Sequence, residues 1–416
     1  MTIPEPAVLP APPGRMPAFL HTRVGGFPRS FWALWAGTLV NRTGAMVEPF
    51  LALFLTTMRG LSITQAGLVV TVLGIGSLGA QVIGGTLADR IGRRTTMTLA
   101  TFATGGAMLA LGHARGLPMI MAAALLLGLT MDMYRPASAA AVADIIDPAD
   151  RPRAFAMLFW AVNLGWAVAM VFGGMLAEQG FLWLFWINAA TCVLFGALVW
   201  RAVPESRPEP GADDGAPRGG FGEVLRDRVM VAYTLLFLAY VFTLMQGMTT
   251  MPLAMRELGL GPRDYGLAIA MNGVLIVLVQ PLVGPWLARF DRGPVLAAGF
   301  ALVGVGYAAT ALATTVWGFV GTILLWTVGE IIASVSGQAI VADLARPHLR
   351  GRYNALWGVA WSGGFLLAPL GGTQLLGFGR EVLWLTCGGI GVAAAAGVLA
   401  LSPALRRRAT PPFSSK

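Results

Sequence analysis

The stretch GGTLADRIGRRTTM (residues 84–97) places four charged residues between two long apolar segments. Gly92 permits a tight turn, because glycine reaches positive φ without steric strain. Asp89 closes the first segment, where a carboxylate can lie against the positive end of another helix dipole. The three arginines that follow hold the turn in water. The stretch therefore predicts a short polar loop between two buried helices.

The composition of the whole chain identifies the solvent of these segments. Of 416 residues, 56% are hydrophobic and 12% charged, whereas about 25% of a soluble domain is charged. A helix needs roughly 20 apolar residues to cross the hydrocarbon core. Such windows occur twelve times, near 31–57, 65–87, 95–114, 117–143, 154–177, 180–201, 229–255, 264–288, 294–313, 315–343, 353–377 and 381–401. We expect an all-α membrane protein, since barrel strands would alternate in short segments.

The net charge of +9 follows the expected topology. With twelve spans both termini lie on one side, and 22 of the 29 Lys and Arg residues fall in segments on that side, against five on the other. This asymmetry is the positive-inside rule. It predicts cytoplasmic termini in a bacterial-type inner (cell) membrane. It also accounts for the basic charge without nucleic acid as a partner.

The sequence repeats after about half its length. VADIIDPADRPR (residues 142–153) returns as VADLARPHLRGR (residues 341–352), a spacing of 199 residues. We expect two pseudo-symmetric six-helix halves, an arrangement in which transporters place the substrate site between the halves. The predicted parts are a cytoplasmic tail (1–30), the first half (31–204), a polar cytoplasmic linker (205–228), the second half (229–402) and a second cytoplasmic tail (403–416).

The loop after the second span resembles the signature of the major facilitator superfamily, Gly-x-Leu-Ala-Asp-Arg-x-Gly-Arg-Arg. All eight specified positions match, and they are Gly85, Leu87, Ala88, Asp89, Arg90, Gly92, Arg93 and Arg94. With the twelve spans and the duplication, the resemblance implies the fold of that superfamily and transport by alternating access. We therefore expect a monomeric transporter rather than an enzyme, with a small-molecule substrate and the lipid bilayer as its partners.

The resemblance also implies a conformational latch at this loop. It puts Asp89 against the start of span eleven and pairs Arg93 with Asp144, the acid of the first Val-Ala-Asp. The alternative is that these arginines only fix the topology. The predicted latch residues are Gly85, Asp89, Arg90, Gly92, Arg93, Asp144 and Asp343.

The second half carries only a degenerate form of the loop, GPWLARFDRG (residues 284–293). Arg289 stands where the signature has Asp. The latch should therefore be asymmetric, and Asp343 should pair with Arg289 or Arg292.

Five charged residues fall inside predicted spans, where charge is costly and marks function. Asp132 and Arg135 are three apart and can neutralise each other on one helix face. They form either a structural ion pair or a gated pair at a central cavity, and Pro136 should bend the helix beside them. The five are Arg42, Glu48, Asp132, Arg135 and Glu330.

Span one carries Arg42 and Glu48, six residues apart and therefore about 120° apart on an ideal helix. Asn41 and Glu48, seven apart, share a face. Glu48 is thus expected either to look into the cavity beside Asn41 or to reach water near the outer interface.

Glu330 lies deep in span ten with no arginine in its own helix. Desolvation favours the neutral form of a carboxyl group, so this group can bind and release a proton. Residues 329–354 resemble the tenth span of the multidrug/proton antiporters of the superfamily, which implies a coupling role. Span five departs from that branch, with Ala169 and Met170 in place of its Gly-Pro. The proton-coupling candidates are Glu330, Asp132 and Glu48, with the proton as coupling ion and no other cofactor or metal.

Aromatic and methionine side chains of spans one, four, seven and ten are expected to line a largely apolar cavity. Scattered polar groups in such a cavity suit amphipathic drugs. The candidate cavity residues are Asn41, Arg42, Arg135, Tyr134, Tyr240, Met245, Gln246, Asn272 and Trp326.

The function favoured by the sequence is proton-coupled export of amphipathic small molecules. The alternative within transport is a symporter or facilitator for a sugar, an amino acid or a similar metabolite. An intramembrane enzyme would need a nucleophile–base pair or a metal site within the spans, and the sequence predicts neither.

Overall fold

The computed structural model describes residues 25–147, 150–205, 221–287, 289–346 and 349–408. Within these ranges all regular structure is helical. The helices are α1 (Arg29–Thr43), α2 (Val47–Met58), α3 (Ile63–Ile91), α4 (Arg93–His113), α5 (Leu117–Met131), α6 (Tyr134–Ile145), α7 (Arg151–Gln179), α8 (Leu182–Ala202), α9 (Phe221–Leu225), α10 (Arg228–Thr249), α11 (Met251–Glu257), α12 (Pro262–Leu287), α13 (Arg292–Ala309), α14 (Val316–Leu344), α15 (Arg350–Gly377) and α16 (Arg380–Arg408).

These helices make twelve spans in two halves. The pairs α1–α2, α5–α6 and α10–α11 form the first, fourth and seventh spans, and each other long helix forms one. By length and composition alone, nine helices of the described residues could cross a membrane. The other three spans do not meet the criteria of length and apolar composition. The first span is interrupted, α4 is rich in threonine, and α15 is rich in glycine. The short α9 lies in the predicted linker.

We call the face at which α1 begins and α16 ends the terminal face, and the other the opposite face. Ion pairs at the terminal face join neighbouring helices, as between Arg346 and Glu223 and between Arg406 and Asp291. The last helix continues to Arg408, beyond the expected start of the second tail at residue 403. Arg408 pairs with Asp227, which anchors this extra turn.

The two halves meet along two helix pairs, α3 with α15 and α7 with α12. Small residues bring the backbones close near the opposite face. A Cβ on Gly266 of α12 would lie 2.3 Å from the carbonyl oxygen of Met170 on α7, and one on Gly174 would lie 2.7 Å from that of Pro262. Arg256 Nη1 also donates to Thr56 Oγ1 across the halves, at 2.8 Å. The halves are therefore joined on this side.

Three spans break close to a proline. The interruptions follow Thr43, Met131 and Thr249, and Pro49, Pro136 and Pro252 begin the helices beyond them. Proline lacks an N–H and its ring clashes with the carbonyl four residues earlier. The bend expected beside Pro136 is present. The break in the first span means that the even helix assumed for Asn41 and Glu48 was wrong.

We expect Gly266→Leu to destabilise the protein, because a side chain there meets the backbone of α7. Overpacking of this kind costs about 1–3 kcal/mol, so the midpoint of thermal unfolding in detergent should fall. Gly321→Leu is the matched control, since a Cβ on Gly321 of α14 has no neighbour within 4 Å. Equal midpoints for the two variants would contradict the close contact.

Candidate functional site

An ion pair lies where the fourth span breaks. Arg135 Nε is 2.7 Å from Asp132 Oδ1, and Ser77 of α3 donates its hydroxyl to the other carboxylate oxygen. The Asp132 side chain is nearly buried, whereas that of Arg135 is 49% exposed. Asp132 thus joins α3 to the fourth span, while about half of the Arg135 side chain remains exposed.

A small polar cavity of about 40 Å³ lies inside the first half. Asn41, Arg42, Glu48, Asp132 and Tyr134 are among its lining residues. Its volume suits a few water molecules. Arg42 Nη2 donates to the Tyr134 hydroxyl at 2.6 Å. Asn41 and Glu48 thus line one cavity from the two sides of the break in the first span.

The charges around this cavity are close to balance. The electrostatic neighbours of Glu48 are Asp132, Arg135 and Arg42. Two carboxyl groups therefore lie near two guanidinium groups, so the formal charges around the cavity can offset one another.

A larger chamber of about 190 Å³ lies between the two halves. Glu330 and Trp326 of α14, Asn272 of α12 and Met245 of α10 line it, together with Trp166 of α7. Asn272 Nδ2 donates to Glu330 Oε2 at 2.7 Å and to Thr327 Oγ1 at 3.0 Å. Among the described residues that line this chamber, Glu330 is the one ionisable side chain. The chamber is thus an apolar site with a single acid that no arginine neutralises.

Two predicted cavity residues have packing roles instead. Tyr240 is buried and its ring stacks on Phe300 at 4.4 Å. Gln246 is fully buried; its amide nitrogen donates to the carbonyl oxygen of Ala368 at 3.2 Å, and its oxygen accepts from Thr250. Gln246 therefore fastens the break in span seven to α15. In this conformation the expectation that these two side chains face a substrate cavity was wrong.

At the terminal face, Arg93 Nε lies 3.2 Å from Asp144 Oδ2 and ties α4 to α6. Asp343 pairs with Arg292 in the second half, and not with Arg289. Arg90 is exposed, and a Cβ on Gly85 would meet nothing within 4 Å. The side chain of Asp89 lies outside the described residues, so its contact with span eleven stays a prediction.

The turn before α4 depends on Glu205, which the sequence analysis did not single out. Gly92 has φ +97° and no side chain with which to cap the helix. Glu205 supplies the cap by accepting from the backbone N–H groups of Arg94 and Thr95, both at 3.0 Å, and from the Thr95 hydroxyl at 2.6 Å. Burial alone would raise the pKa of Glu205, but these hydrogen bonds outweigh it and hold the pKa below its usual value.

The sequence model of the Major Facilitator Superfamily matches the chain twice, over residues 34–253 and 236–415. The chain belongs to the major facilitator superfamily. It is therefore a multi-pass membrane transporter and not an enzyme. The all-α membrane fold predicted from the sequence is confirmed.

Several relatives cover most of the chain. The Na⁺, Li⁺, K⁺/H⁺ antiporter of Planococcus maritimus is 26% identical over 82% of this chain and 88% of its own. Multidrug resistance protein MdtH of Cronobacter sakazakii is 26% identical over 83% of this chain and 87% of its own. The uncharacterised transporter YqjV of Bacillus subtilis is 25% identical over 84% and 88%. These similarities confirm the resemblance to the multidrug and antiporter branch.

Solved structures share the fold at lower identity. The crystal structure of a peptide transporter POT mutant with sulfate has a TM-score of 0.78 at 16% identity, covering 93% of this chain and 96% of its own. A POT family transporter with 5-aminolevulinic acid has the same TM-score at 14% identity, with coverage of 92% and 97%.

We expect Asp132→Asn and Arg135→Gln to lower the unfolding midpoint in a non-additive way, because each change leaves a charge without its partner. Contacting residues show interaction free energies of roughly 0.5–3 kcal/mol. Asp150 and Arg153, at the terminal face, are the matched control. They are also three residues apart, but Arg153 Nη1 lies 3.7 Å from Asp150 Oδ1, so we expect a weaker coupling. Additive effects at positions 132 and 135 would contradict a coupled pair.

We expect Glu205→Gln to lower the unfolding midpoint at neutral pH, since a helix N-cap contributes about 1 kcal/mol. The pKa of Glu205 in the folded protein is below its ordinary value of 4.5. The stabilisation by ionised Glu205 is therefore full above pH 4.5. It is lost as the pH falls through the pKa that Glu205 has in the folded protein. The gap between wild type and variant should close in acid. Glu178→Gln, at an exposed position on the opposite face, is the control. A difference in unfolding midpoint between wild type and Glu205→Gln that does not change with pH would contradict the cap.

Proposed function

We propose that this transporter exports amphipathic small molecules in exchange for protons. The observation that carries the proposal is the chamber between the halves, where apolar and aromatic walls surround one acid, Glu330. Apolar pockets with few polar groups suit amphipathic ligands. A multidrug resistance protein and a cation/proton antiporter among the relatives support the same assignment.

The orientation that we propose puts the terminal face in the cytoplasm of a bacterial-type inner membrane. Its excess of arginine supports this, because positive loops stay inside. The halves are joined near the opposite face by Gly266, Gly174 and Arg256. The conformation is therefore inward-facing, with the chamber accessible from the cytoplasmic side. One chain encloses the whole chamber, so we expect it to work as a monomer.

Glu330 is the proton site that we favour. Its ionised carboxylate attracts a cationic substrate, and its neutral form does not, so proton and substrate compete for one group. Asn272 holds the carboxyl in place through a 2.7 Å hydrogen bond in either form. Asp132 and Glu48 are the other candidates; both lie near arginines, whereas no arginine is among the described residues that line the chamber beside Glu330.

The loop at the terminal face supplies the proposed latch. The pair of Arg93 and Asp144 keeps α4 and α6 together, so the loop moves with the first half as one body. Asp89 would then engage the start of α15 when the halves close on the cytoplasmic side. The pair of Arg292 and Asp343 would likewise keep α13 and α14 together within the second half.

We expect Glu330→Gln to abolish most proton-driven export of Hoechst 33342 and ethidium from bacteria that lack their own drug pumps. The variant keeps the shape of the side chain and cannot ionise. Wild-type export should stop when a protonophore is added. Glu381→Gln, exposed on the opposite face, is the matched control and should export normally.

Each other result has a defined meaning. Export that survives Glu330→Gln would move the proton site to Asp132 or Glu48. Export that continues unchanged after the protonophore is added would contradict proton coupling. Absence of dye export despite normal membrane levels of the protein would contradict drug export and favour a carrier for a narrow class of metabolites or ions.

A further inference from the structure

A second space adjoins the chamber. It is a crevice of about 230 Å³ between α7 and α12, toward the terminal face. Asn163 and Ile276 line both the crevice and the chamber, so the two spaces lie side by side. The crevice is lined by Ala156, Phe159, Trp160, Asn163, Ile276, Val277, Gln280 and Pro281.

The crevice passes between the two helices from one side to the other. At 100° per residue, Phe159 falls on the same flank of α7 as Val162 and Trp166, which line the chamber. Trp160 falls on the other flank, away from the chamber. Because both Phe159 and Trp160 line the crevice, it extends from the chamber side of the helix pair to the outer surface.

The outer mouth of the crevice is apolar. Trp160, on the outer flank of α7, is 40% exposed. Leu278 and Leu282, on the flank of α12 away from the chamber, are 62% and 77% exposed. In a membrane protein such a surface faces lipid. The mouth therefore opens into the bilayer leaflet at the terminal face.

The same helix pair is sealed on its other half. A Cβ on Gly273 would lie 2.9 Å from that of Ala167, and one on Gly266 would lie 2.3 Å from the carbonyl oxygen of Met170. The helices thus touch near the opposite face and diverge near the terminal face. This divergence limits the opening to one leaflet.

We propose that substrates reach the chamber sideways, from the leaflet at the terminal face, through the crevice between α7 and α12. The inference rests on the proposed function and names its substrate class, which is lipophilic amines. Their apolar bodies match the rim of Phe159, Trp160 and Pro281, and their basic nitrogen matches Glu330 at the inner end. The amides of Asn163 and Gln280 are held by Phe159 O and Ser334 Oγ, at 2.9 and 3.2 Å, which leaves the passage with little polar obstruction.

The test fills the crevice without touching the chamber. Ala156→Trp adds an indole between α7 and α12, and Ala103→Trp adds one to an exposed position of α4 as the matched control. Hoechst 33342, a lipophilic weak base, partitions into the leaflet, whereas ethidium, a permanent cation, is offered from water. We expect Ala156→Trp to slow Hoechst 33342 export by about tenfold, equivalent to about 1.4 kcal/mol, and to leave ethidium export within about twofold.

The outcomes separate this inference from the proposed function. Equal slowing of both dyes, or of neither, would overturn the sideways route. Should Ala156→Trp fail to accumulate, Val277→Trp fills the same crevice from α12. Absence of wild-type export of both dyes would count against drug export itself, and the crevice would then be judged by a measurement that needs no transport.

That measurement is fluorescence quenching by lipid. A bimane label on Phe159→Cys in proteoliposomes should be quenched by phospholipids with brominated acyl chains, and adding Ala156→Trp should reduce the quenching. The native Cys192 and Cys387 are buried and need no replacement. Phe102→Cys, on the exposed surface of α4, should be quenched in both backgrounds. A label at position 159 that only water-soluble quenchers reach would overturn the proposal.

Discussion

A charge inside a membrane has to be neutralised or partnered, and the two halves of this transporter meet that requirement differently. In the first half Glu48 and Asp132 lie among Arg42 and Arg135. In the second half Glu330 has the amide of Asn272 as its hydrogen-bond donor. The duplicated architecture therefore carries unequal electrostatics. The balanced charges of the first half hold its own helices together, and in the proposed mechanism Glu330 of the second half exchanges a proton for a cation.

The contact between the halves is equally one-sided. Near the opposite face, glycines let α7 and α12 touch through their backbones, and Arg256 adds hydrogen bonds across the gap. Toward the terminal face the same helices diverge around the crevice. One helix pair thus combines close backbone packing at one end with the proposed passage for substrate at the other. The glycines set which end of the molecule is shut in this conformation.

The sequence was sufficient for the fold, because span length, charge asymmetry and the internal repeat depend on composition and local order. It also sufficed to suggest the partners Asp132–Arg135 and Arg93–Asp144, one from helical spacing and the other from a family motif. Tyr240 and Gln246 were misassigned because the rotation of a buried helix cannot be read from an almost uniformly apolar segment. Glu205 was missed because its partners are 110 and 111 residues away.

Of the four spans that were expected to line the cavity, the first, fourth and seventh break close to a proline, but the tenth, α14, runs unbroken from Val316 to Leu344. It carries Glu330 near its middle and Asp343 near its end, about 20 Å away at 1.5 Å per residue. A rigid rod transmits displacement that a hinge would absorb. In the proposed mechanism, a displacement of α14 at Glu330 would therefore be felt at the membrane surface as strain on the pair of Asp343 and Arg292.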